Sequence, residues 1–135
     1  DVNAVVRGRE MGFNVVFGNC KNGDVLRNFG LNPRKTRAVI VALDNAETAK
    51  DVILTVKGIA PRVKIFARAR NLADCKALRK YGVYNALPET IETAFSLGTG
   101  VLEYMKISDT KIRTALSTLR MDNYATLDNS VQINE

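Results

Sequence analysis

The sequence predicts an α/β protein built on a parallel, doubly wound sheet. Short apolar stretches with β-branched residues alternate along the chain with longer segments of helical period. Three of the four apolar stretches reach Gly, Asp or Pro at or near their carboxyl ends, as strands do before a turn. A length of 135 residues with 46% hydrophobic composition suffices for one domain with a core. Strands alternating with helices at this spacing indicate parallel pairing.

Four segments are predicted to be strands, and three segments between them are predicted to be helices. The strands are 14–18, 38–43, 63–67 and 84–87, and the helices are 23–29, 46–58 and 72–81. The run Asp44-Asn45-Ala46-Glu47 resembles a capping box, and Gly58 ends the helix that follows it. Asn71 is expected to cap the next helix, and Gly82 fits its left-handed stop.

The chain after Pro88 predicts two amphipathic helices. Apolar residues recur at helical spacing from Ile91 to Met105, and a second helix is predicted to begin at Ser108 or Asp109. Glycines cost about 1 kcal/mol each inside a helix, so a close contact is expected at Gly98 and Gly100. The polar tail from residue 122 is expected to fray. This extension either covers a face of the sheet or forms a dimer arm, and both alternatives stay open.

Composition excludes several classes of chemistry. The chain has no histidine, and its two cysteines, Cys20 and Cys75, are far apart, which argues against a zinc site and excludes Ser-His or Cys-His catalysis. We expect both thiols to be small hydrophobes in a reducing compartment. No apolar run approaches the ~18 residues of a membrane span. Because the sequence begins at Asp1, we expect it to be a piece of a longer protein.

Positive charge is concentrated in one part of the chain. Residues 62–80 carry seven Lys or Arg and one acidic residue, Asp74. The net charge of this segment is therefore +6, the same as that of the whole sequence. Residues 81–105 are acidic by contrast. This separation suits an anionic ligand or an acidic partner better than a general nucleic-acid surface, since few aromatic residues lie among the basic ones.

Polar residues follow three of the predicted strands, where ligands bind in sheets of this kind. Gly18 would let the backbone approach a ligand, and Asn19 offers a donor and an acceptor. Asp44 could accept a bond from a hydroxyl, although simple capping of the next helix is the alternative that we favour. Arg68 and Arg70 share a face and could clamp an anion. Equally, they could be solvated or pair with acidic residues of 89–103.

No paired carboxylates, no nucleophile with a base and no metal cluster emerge from the sequence. A binding or regulatory module is therefore predicted, and not an enzyme.

Five runs of the sequence together resemble a known domain family. They are GFNVVFGNC, NGDVLRNFGL, AVIVALDNAETA, PRVKIFARARNLADCKALRKYGV and ALPETIETAFSLGTGVLEYM. The chain resembles the KTN (RCK-type, TrkA-N) domain from about residue 1 to 121. The nearest likeness is to the cytosolic domain of glutathione-gated potassium/proton antiporters of bacteria and of their plastid relatives.

The resemblance implies a Rossmann-like domain that binds an adenine nucleotide, AMP or NAD(H), and has no catalysis of its own. It implies a homodimer that gates an attached transmembrane antiporter at the cytoplasmic face of an inner membrane or plastid envelope, without a nucleic-acid partner. The expected division is a partial nucleotide-binding core at 1–88, a helical extension or dimerisation arm at 89–121 and a polar tail at 122–135.

Two departures from the family pattern qualify these implications. The GxGxxG turn is absent, and Asp1 falls where the acidic residue that ends the second strand is expected. The resemblance implies that the helix which comes next in the family lies at 2–11. The first two strands and the phosphate-binding loop are therefore expected to be missing, which leaves the strand at 14–18 without its neighbours. Asn19 stands where the family has an aspartate, so one charge is lost.

The resemblance assigns roles to eight residues. Nucleotide binding falls to Asp1, Gly18, Asn19, Cys20, Asp44 and Arg68. Contact with an effector, such as a glutathione adduct, or with the dimer interface falls to Arg68, Arg70 and Asn71. Two alternatives remain: a fragment of an NAD-dependent oxidoreductase, and a nucleic-acid-binding module that uses the basic stretch.

Overall fold

The computed structural model describes residues 2–128, with side chains to residue 125, as a parallel three-stranded sheet and helices. The elements are α1 (Val2–Glu10), α2 (Gly23–Asn28), β1 (Ala38–Val41), α3 (Ala46–Ile59), β2 (Lys64–Ala69), α4 (Leu72–Arg79), β3 (Asn85–Pro88), α5 (Glu89–Tyr104) and α6 (Asp109–Asp128). The strand order is β1-β2-β3. The predicted α/β class with a parallel sheet is confirmed. No described helix combines the length and apolar character that a membrane span requires.

The core lies between one face of the sheet and the helices that connect its strands. Burial alternates along β2, where Ile65, Ala67 and Ala69 are buried. Ile53 and Val56 of α3 belong to the same buried cluster. Both crossovers advance in one direction across the sheet, so right-handed connections place α3 and α4 on one face.

The opposite face of the sheet is open in the described part of the chain. Ile40 of β1 is 78% exposed and Leu87 of β3 is 46% exposed, although both are large apolar residues in strands. Apolar surface of this kind on a sheet indicates that the face is suited to a further layer.

The predicted strand at 14–18 does not form. Residues 13–18 are assigned to neither helix nor strand, and Phe13 and Phe17 are 61% and 67% exposed. A strand needs a neighbour to satisfy its backbone groups, and β1 pairs only with β2 among the described residues. The absence of pairing between 14–18 and β1 agrees with the expectation that the two intervening strands are missing.

Asn71 and Gly82 have the predicted roles at the start and after the end of α4. The Asn71 side chain accepts a bond from the backbone N–H of Asp74 at 2.9 Å and caps α4. Gly82 has a φ of +81° after α4, a conformation that L side chains rarely adopt. The end of α3 follows the predicted position within a residue or two, at Ile59.

The two predicted C-terminal helices are present, with two corrections. A Cβ added at Gly98 or Gly100 would meet no atom within 4 Å, so the close contact expected there is absent from the described chain. The helix α6 continues to Asp128, which corrects the prediction that a frayed tail begins at 122. Residues 129–135 of that predicted tail lie outside the described residues.

A carboxylate near the start of α5 ties α6 to it. Arg120 donates two bonds to Glu92, at 2.7 and 3.1 Å, and the Tyr124 hydroxyl donates to the same carboxylate. The hydrogen bond from Arg120 lowers the pKa of Glu92, although partial burial opposes that shift. Burial and the Glu92 carboxylate raise the pKa of Tyr124. Charge-assisted bonds therefore fix the angle between the two helices.

Candidate ligand-binding site

An open cleft of about 450 Å³ lies at the carboxyl ends of the three strands. Its walls come from the ends of β1 and β2 and from the first two turns of α5. The lining residues are Leu43, Asp44, Arg68, Ala69, Arg70, Glu89, Thr90 and Thr93. This is the edge at which ligands bind in parallel α/β sheets.

Arg68 lies at the centre of the cleft and joins two carboxylates from different elements. Its Nη1 donates to Glu89 Oε2 at 2.6 Å, and its Nη2 donates to Asp44. The Asp44 and Glu89 hydrogen bonds, in that order, raise the pKa of the Arg68 guanidinium. One arginine therefore links the loop after β1 to the first residue of α5.

Asp44 is available to Arg68 because its neighbour caps the helix. The side chain of Asn45 accepts from the backbone N–H of Thr48 at 2.8 Å, so Asn45 is the N-cap of α3. The favoured assignment of Asp44 to capping is therefore wrong. The Asp44 side chain is 91% exposed beyond its contact with Arg68. Its carboxylate can accept hydrogen bonds from a ligand hydroxyl as well.

Arg70 also lines the cleft, but its guanidinium, unlike that of Arg68, is not paired with a carboxylate of the described chain. Its backbone carbonyl accepts from the Thr90 hydroxyl at 2.7 Å, which joins β2 to α5. The Arg70 guanidinium has no hydrogen-bond or ion-pair partner among the described residues. Arg68 is thus neutralised by two carboxylates, whereas Arg70 carries an uncompensated charge at the same cleft.

Gly18, Asn19 and Cys20 are not among the residues that line this cleft. The Lys21 ammonium that follows them pairs with Asp51 of α3 at 2.7 Å, and the Asn19 side chain accepts from the Lys21 N–H. A Cβ on Gly18 would lie 2.8 Å from Val25 and 3.1 Å from Phe29. The glycine therefore permits close packing against α2 in this structure.

The structure assembles part of the predicted residue set. It brings together Asp44, Arg68 and Arg70, and it uses Asn71 as a helix cap beside them. Residues 18–20 do not line the cleft, and Asp1 lies outside the described residues. The alternative that an arginine pairs with an acidic residue of 89–103 holds for Arg68 through Glu89.

Three polar residues that line the cleft were not among the predicted site residues. Glu89, Thr90 and Thr93 open α5 and complete the cleft. Glu89 and Thr90 could have been predicted from their position, because they directly follow the end of β3, as Asp44 follows the end of β1. Within the described residues, no group of three His, Cys, Asp or Glu side chains could hold a metal ion.

The sequence model of the TrkA-N domain family matches residues 1–88, more than half of the chain. The chain belongs to the TrkA-N domain family. The resemblance inferred from the sequence is thereby confirmed, and the matched residues include Asp44, Arg68 and Arg70 of the cleft but not the helices α5 and α6.

Relatives of this TrkA-N domain occur in potassium transport proteins. It is 29% identical over 120 residues to the glutathione-regulated potassium-efflux system protein KefC of Cronobacter sakazakii, and covers 19% of that protein's length. The matched part is 89% of this chain. With the corresponding KefC of Escherichia coli O157:H7, the identity is 30% over 115 residues, which are 85% of this chain and 18% of that protein. The chain thus spans about a fifth of the length of the curated relatives it matches.

Solved structures share the fold of the TrkA-N domain. The Shewanella denitrificans Kef CTD in its AMP-bound form aligns with a TM-score of 0.70 and 24% identity, over 84% of this chain and 70% of that one. The GsuK channel bound to NAD aligns with a TM-score of 0.63 and 23% identity, over 73% of this chain and 18% of that one.

Proposed function

We propose that this chain is the ligand-sensing regulatory domain of a monovalent cation:proton antiporter, that it binds an adenine nucleotide, and that it gates transport without catalysis of its own. The observation that carries the proposal is the cleft at the strand ends, where Arg68 joins Asp44 to Glu89. An anionic ligand group that engages Arg68 must compete with its two carboxylate partners, one of which, Glu89, is the first residue of α5. Binding is thereby coupled to the position of a helix.

The nucleotide part of the proposal is supported by the cleft and by similar proteins. A carboxylate that is 91% exposed can accept bonds from ribose hydroxyls, and Arg68 and Arg70 can donate to a phosphate. The Kef CTD and GsuK structures are described with AMP and NAD, which makes those two nucleotides the first to test. We keep Asp1, Gly18, Asn19 and Cys20 as proposed contacts on the sugar and base side.

The effector part of the proposal concerns Arg70 and Asn71. Arg70 has an uncompensated guanidinium, and the Thr93 hydroxyl lines the same cleft, which gives donors suited to a carboxylate-bearing ligand. KefC relatives are named as glutathione-regulated, so an S-substituted glutathione adduct is the effector we propose. The Asn71 oxygen already accepts from Asp74, which leaves its amide N–H groups as donors.

The partner proposed for α5 is a second copy of the chain. Leu97, Val101 and Tyr104 lie on one side of this helix with its C-cap residue Met105, and each is at least 58% exposed. The open space at Gly98 and Gly100 lies at the borders of the same stripe. A helix stripe that buries nothing in the described protomer is suited to pack against its own copy. Dimer formation through α5 would connect the cleft to a quaternary change.

Calorimetric titration of the chain with AMP, with NAD and with an S-substituted glutathione tests these assignments. We expect AMP or NAD to bind, and Arg68→Gln to weaken nucleotide affinity by about 10- to 100-fold through loss of a charge-assisted contact. Arg70→Gln should reduce glutathione-adduct affinity more than nucleotide affinity. Complete absence of binding by all three ligands would refute the proposal.

A matched control separates a specific contact from the general field of the cleft. Arg37→Gln removes the same charge from an exposed residue outside the cleft lining and should leave both affinities unchanged. Equal loss of both affinities in Arg68→Gln and Arg70→Gln would mean that the pair acts only through its shared charge.

A further inference from the structure

The end of the sheet opposite the cleft carries an exposed surface of one charge. It is built from the chain before β1, the start of β2, and the carboxyl-terminal ends of α3 and α4. Its basic residues, together called the basic edge, are Arg34, Lys35, Arg37, Lys57, Arg62, Lys64 and Lys80. Six of these seven side chains are exposed, and Lys57 is half-buried.

Direct contacts hold parts of the basic edge together. The Lys57 ammonium donates to the Val63 carbonyl at 3.0 Å, and the Lys64 N–H donates to the Arg37 carbonyl at 3.4 Å. The Lys64 ammonium lies 4.4 Å from the ring centroid of Tyr84, which is itself 60% exposed. The end of α3, the starts of β1 and β2 and the residue before β3 thus form one continuous surface.

Acidic residues are missing from the segments that build this surface. Segments 29–43, 52–73 and 75–88 contain no Asp or Glu. In the described part of the chain, none of the seven side chains pairs with a carboxylate. The other thirteen Lys and Arg of the sequence are outnumbered by its fourteen carboxylates. The positive net charge of the chain therefore resides on the basic edge.

Helix dipoles account for only part of this pattern. Cations are favourable at the carboxyl-terminal ends of helices, which explains Lys57 in α3 and Lys80 after α4. That preference does not reach Arg34, Lys35 or Arg62, which lie in loops before strands. Concentrating like charges without partners opposes folding, so their presence there calls for an external counter-charge.

We propose that the basic edge docks on anionic lipid headgroups of the membrane that holds the parent transporter. This inference rests on the proposed function, since it places the domain beside a membrane. The charges are spread across the end of a sheet, and none of them lines the clefts at the strand ends, along α6 or beside α2. A broad surface of one sign suits a planar array of headgroups better than an acidic peptide, which needs a groove. The exposed Tyr84 ring is of the type that lies at headgroup level.

Vesicle co-sedimentation with charge-matched variants tests the proposal. The 135-residue chain should bind phosphatidylcholine vesicles that contain phosphatidylglycerol, should not bind phosphatidylcholine alone, and should dissociate as salt is raised. Replacing Arg34, Lys35 and Arg62 with Gln should weaken vesicle binding on the order of 100-fold, since each cation near the surface contributes about fivefold. Replacing Arg7, Lys111 and Arg113 with Gln removes equal charge elsewhere and should leave binding within about twofold of the parent.

Three results would overturn the proposal. They are no binding to phosphatidylglycerol vesicles, equal losses in the two triple variants, and tighter binding of poly-glutamate or duplex DNA with the same dependence on Arg34, Lys35 and Arg62. AMP titration of the same proteins keeps this test separate from the proposed function. A chain that binds AMP but not anionic vesicles would refute only the lipid proposal, and a chain that binds vesicles but no nucleotide or effector would refute the proposed function.

Discussion

Arg68 is the residue on which the candidate site depends, because it connects two elements that the sequence separates by 45 positions. The loop after β1 supplies Asp44, and the first residue of α5 supplies Glu89. The sequence predicted the location of Arg68 at a strand end and left open that it pairs with an acidic residue of 89–103, as it does with Glu89. The exchange of capping between Asp44 and Asn45 was not predictable, because both residues are good caps and only geometry decides between them.

The two cysteines differ in burial and are expected to differ in reactivity. Burial raises the pKa of the Cys75 thiol to about 11, so it is almost entirely protonated at pH 8, whereas Cys20 is half-buried. Iodoacetamide at pH 8 should label Cys20 in the native chain and Cys75 only after unfolding, since the thiolate is the nucleophile. Mass spectrometry of the parent and of Cys20→Ser measures the rates. Rapid native labelling of Cys75 in Cys20→Ser would contradict the packing described.

Among the helices and strands, the hydrophobic period predicted the bounds of those elements whose conformation depends mainly on their own sequence. The helices α3 and α4 and the strands β1, β2 and β3 occur within a few residues of their predicted bounds. The segment 14–18 has the composition of a strand but does not form one. A strand forms only where a neighbouring strand pairs with it, and the composition of a segment does not determine whether that neighbour is present. The contact of Glu92 with Arg120 is likewise set by the angle between two helices, which sequence spacing does not give.

The tie between α5 and α6 should contribute measurably to stability. Arg120→Gln removes two bonds to Glu92 and should lower the free energy of unfolding by about 1 kcal/mol, a modest figure because the arginine is 44% exposed. Arg113→Gln, on the same helix and exposed, should change it by less than about 0.5 kcal/mol. Urea unfolding measures both. Equal effects of the two substitutions would contradict a specific tie.

The same tie predicts an acid dependence with a defined sign. Arg120 lowers the pKa of Glu92 below its ordinary value of 4.5 in the folded chain. The contribution of Glu92 to stability is therefore complete above that ordinary value and is lost as pH falls through the lowered one. The difference in unfolding free energy between the parent and Glu92→Gln should shrink as pH falls below 4.5. A difference that stays constant from pH 7 to 3 would contradict the assignment.

The whole molecule has an asymmetric distribution of charge between the two ends of its sheet, which no single residue or element shows. One end of the sheet carries the cleft with Asp44 and Glu89, and the opposite end carries the basic edge. The sequence revealed the basic segment 62–80 but not this division, because Arg68 and Arg70 of that segment lie at the cleft, whereas Arg62 and Lys64 lie at the other end. Because a strand is extended, residues only a few positions apart in the sequence can lie at opposite ends of the sheet.

The exposed stripe on α5 predicts a concentration-dependent dimer. Val101→Asp places a charge in the stripe and should weaken dimerisation by at least about tenfold, because a desolvated carboxylate at an apolar contact has no partner. Thr114→Asp adds the same charge on the exposed side of α6 and should leave the equilibrium unchanged. Sedimentation equilibrium measures both. A monomeric parent chain, or equal effects of the two variants, would contradict the proposed interface.

In the function that we propose, nucleotide binding at the cleft and dimer arrangement through α5 share one free energy of coupling. The most direct test measures the dimer dissociation constant with and without saturating AMP, and the AMP affinity of the parent beside that of Val101→Asp. Linkage requires that AMP change dimerisation by the same factor by which dimerisation changes AMP affinity, and we expect that factor to lie between about 5 and 150. AMP that binds with equal affinity to parent and Val101→Asp, and leaves the dimer constant unchanged, would contradict the account.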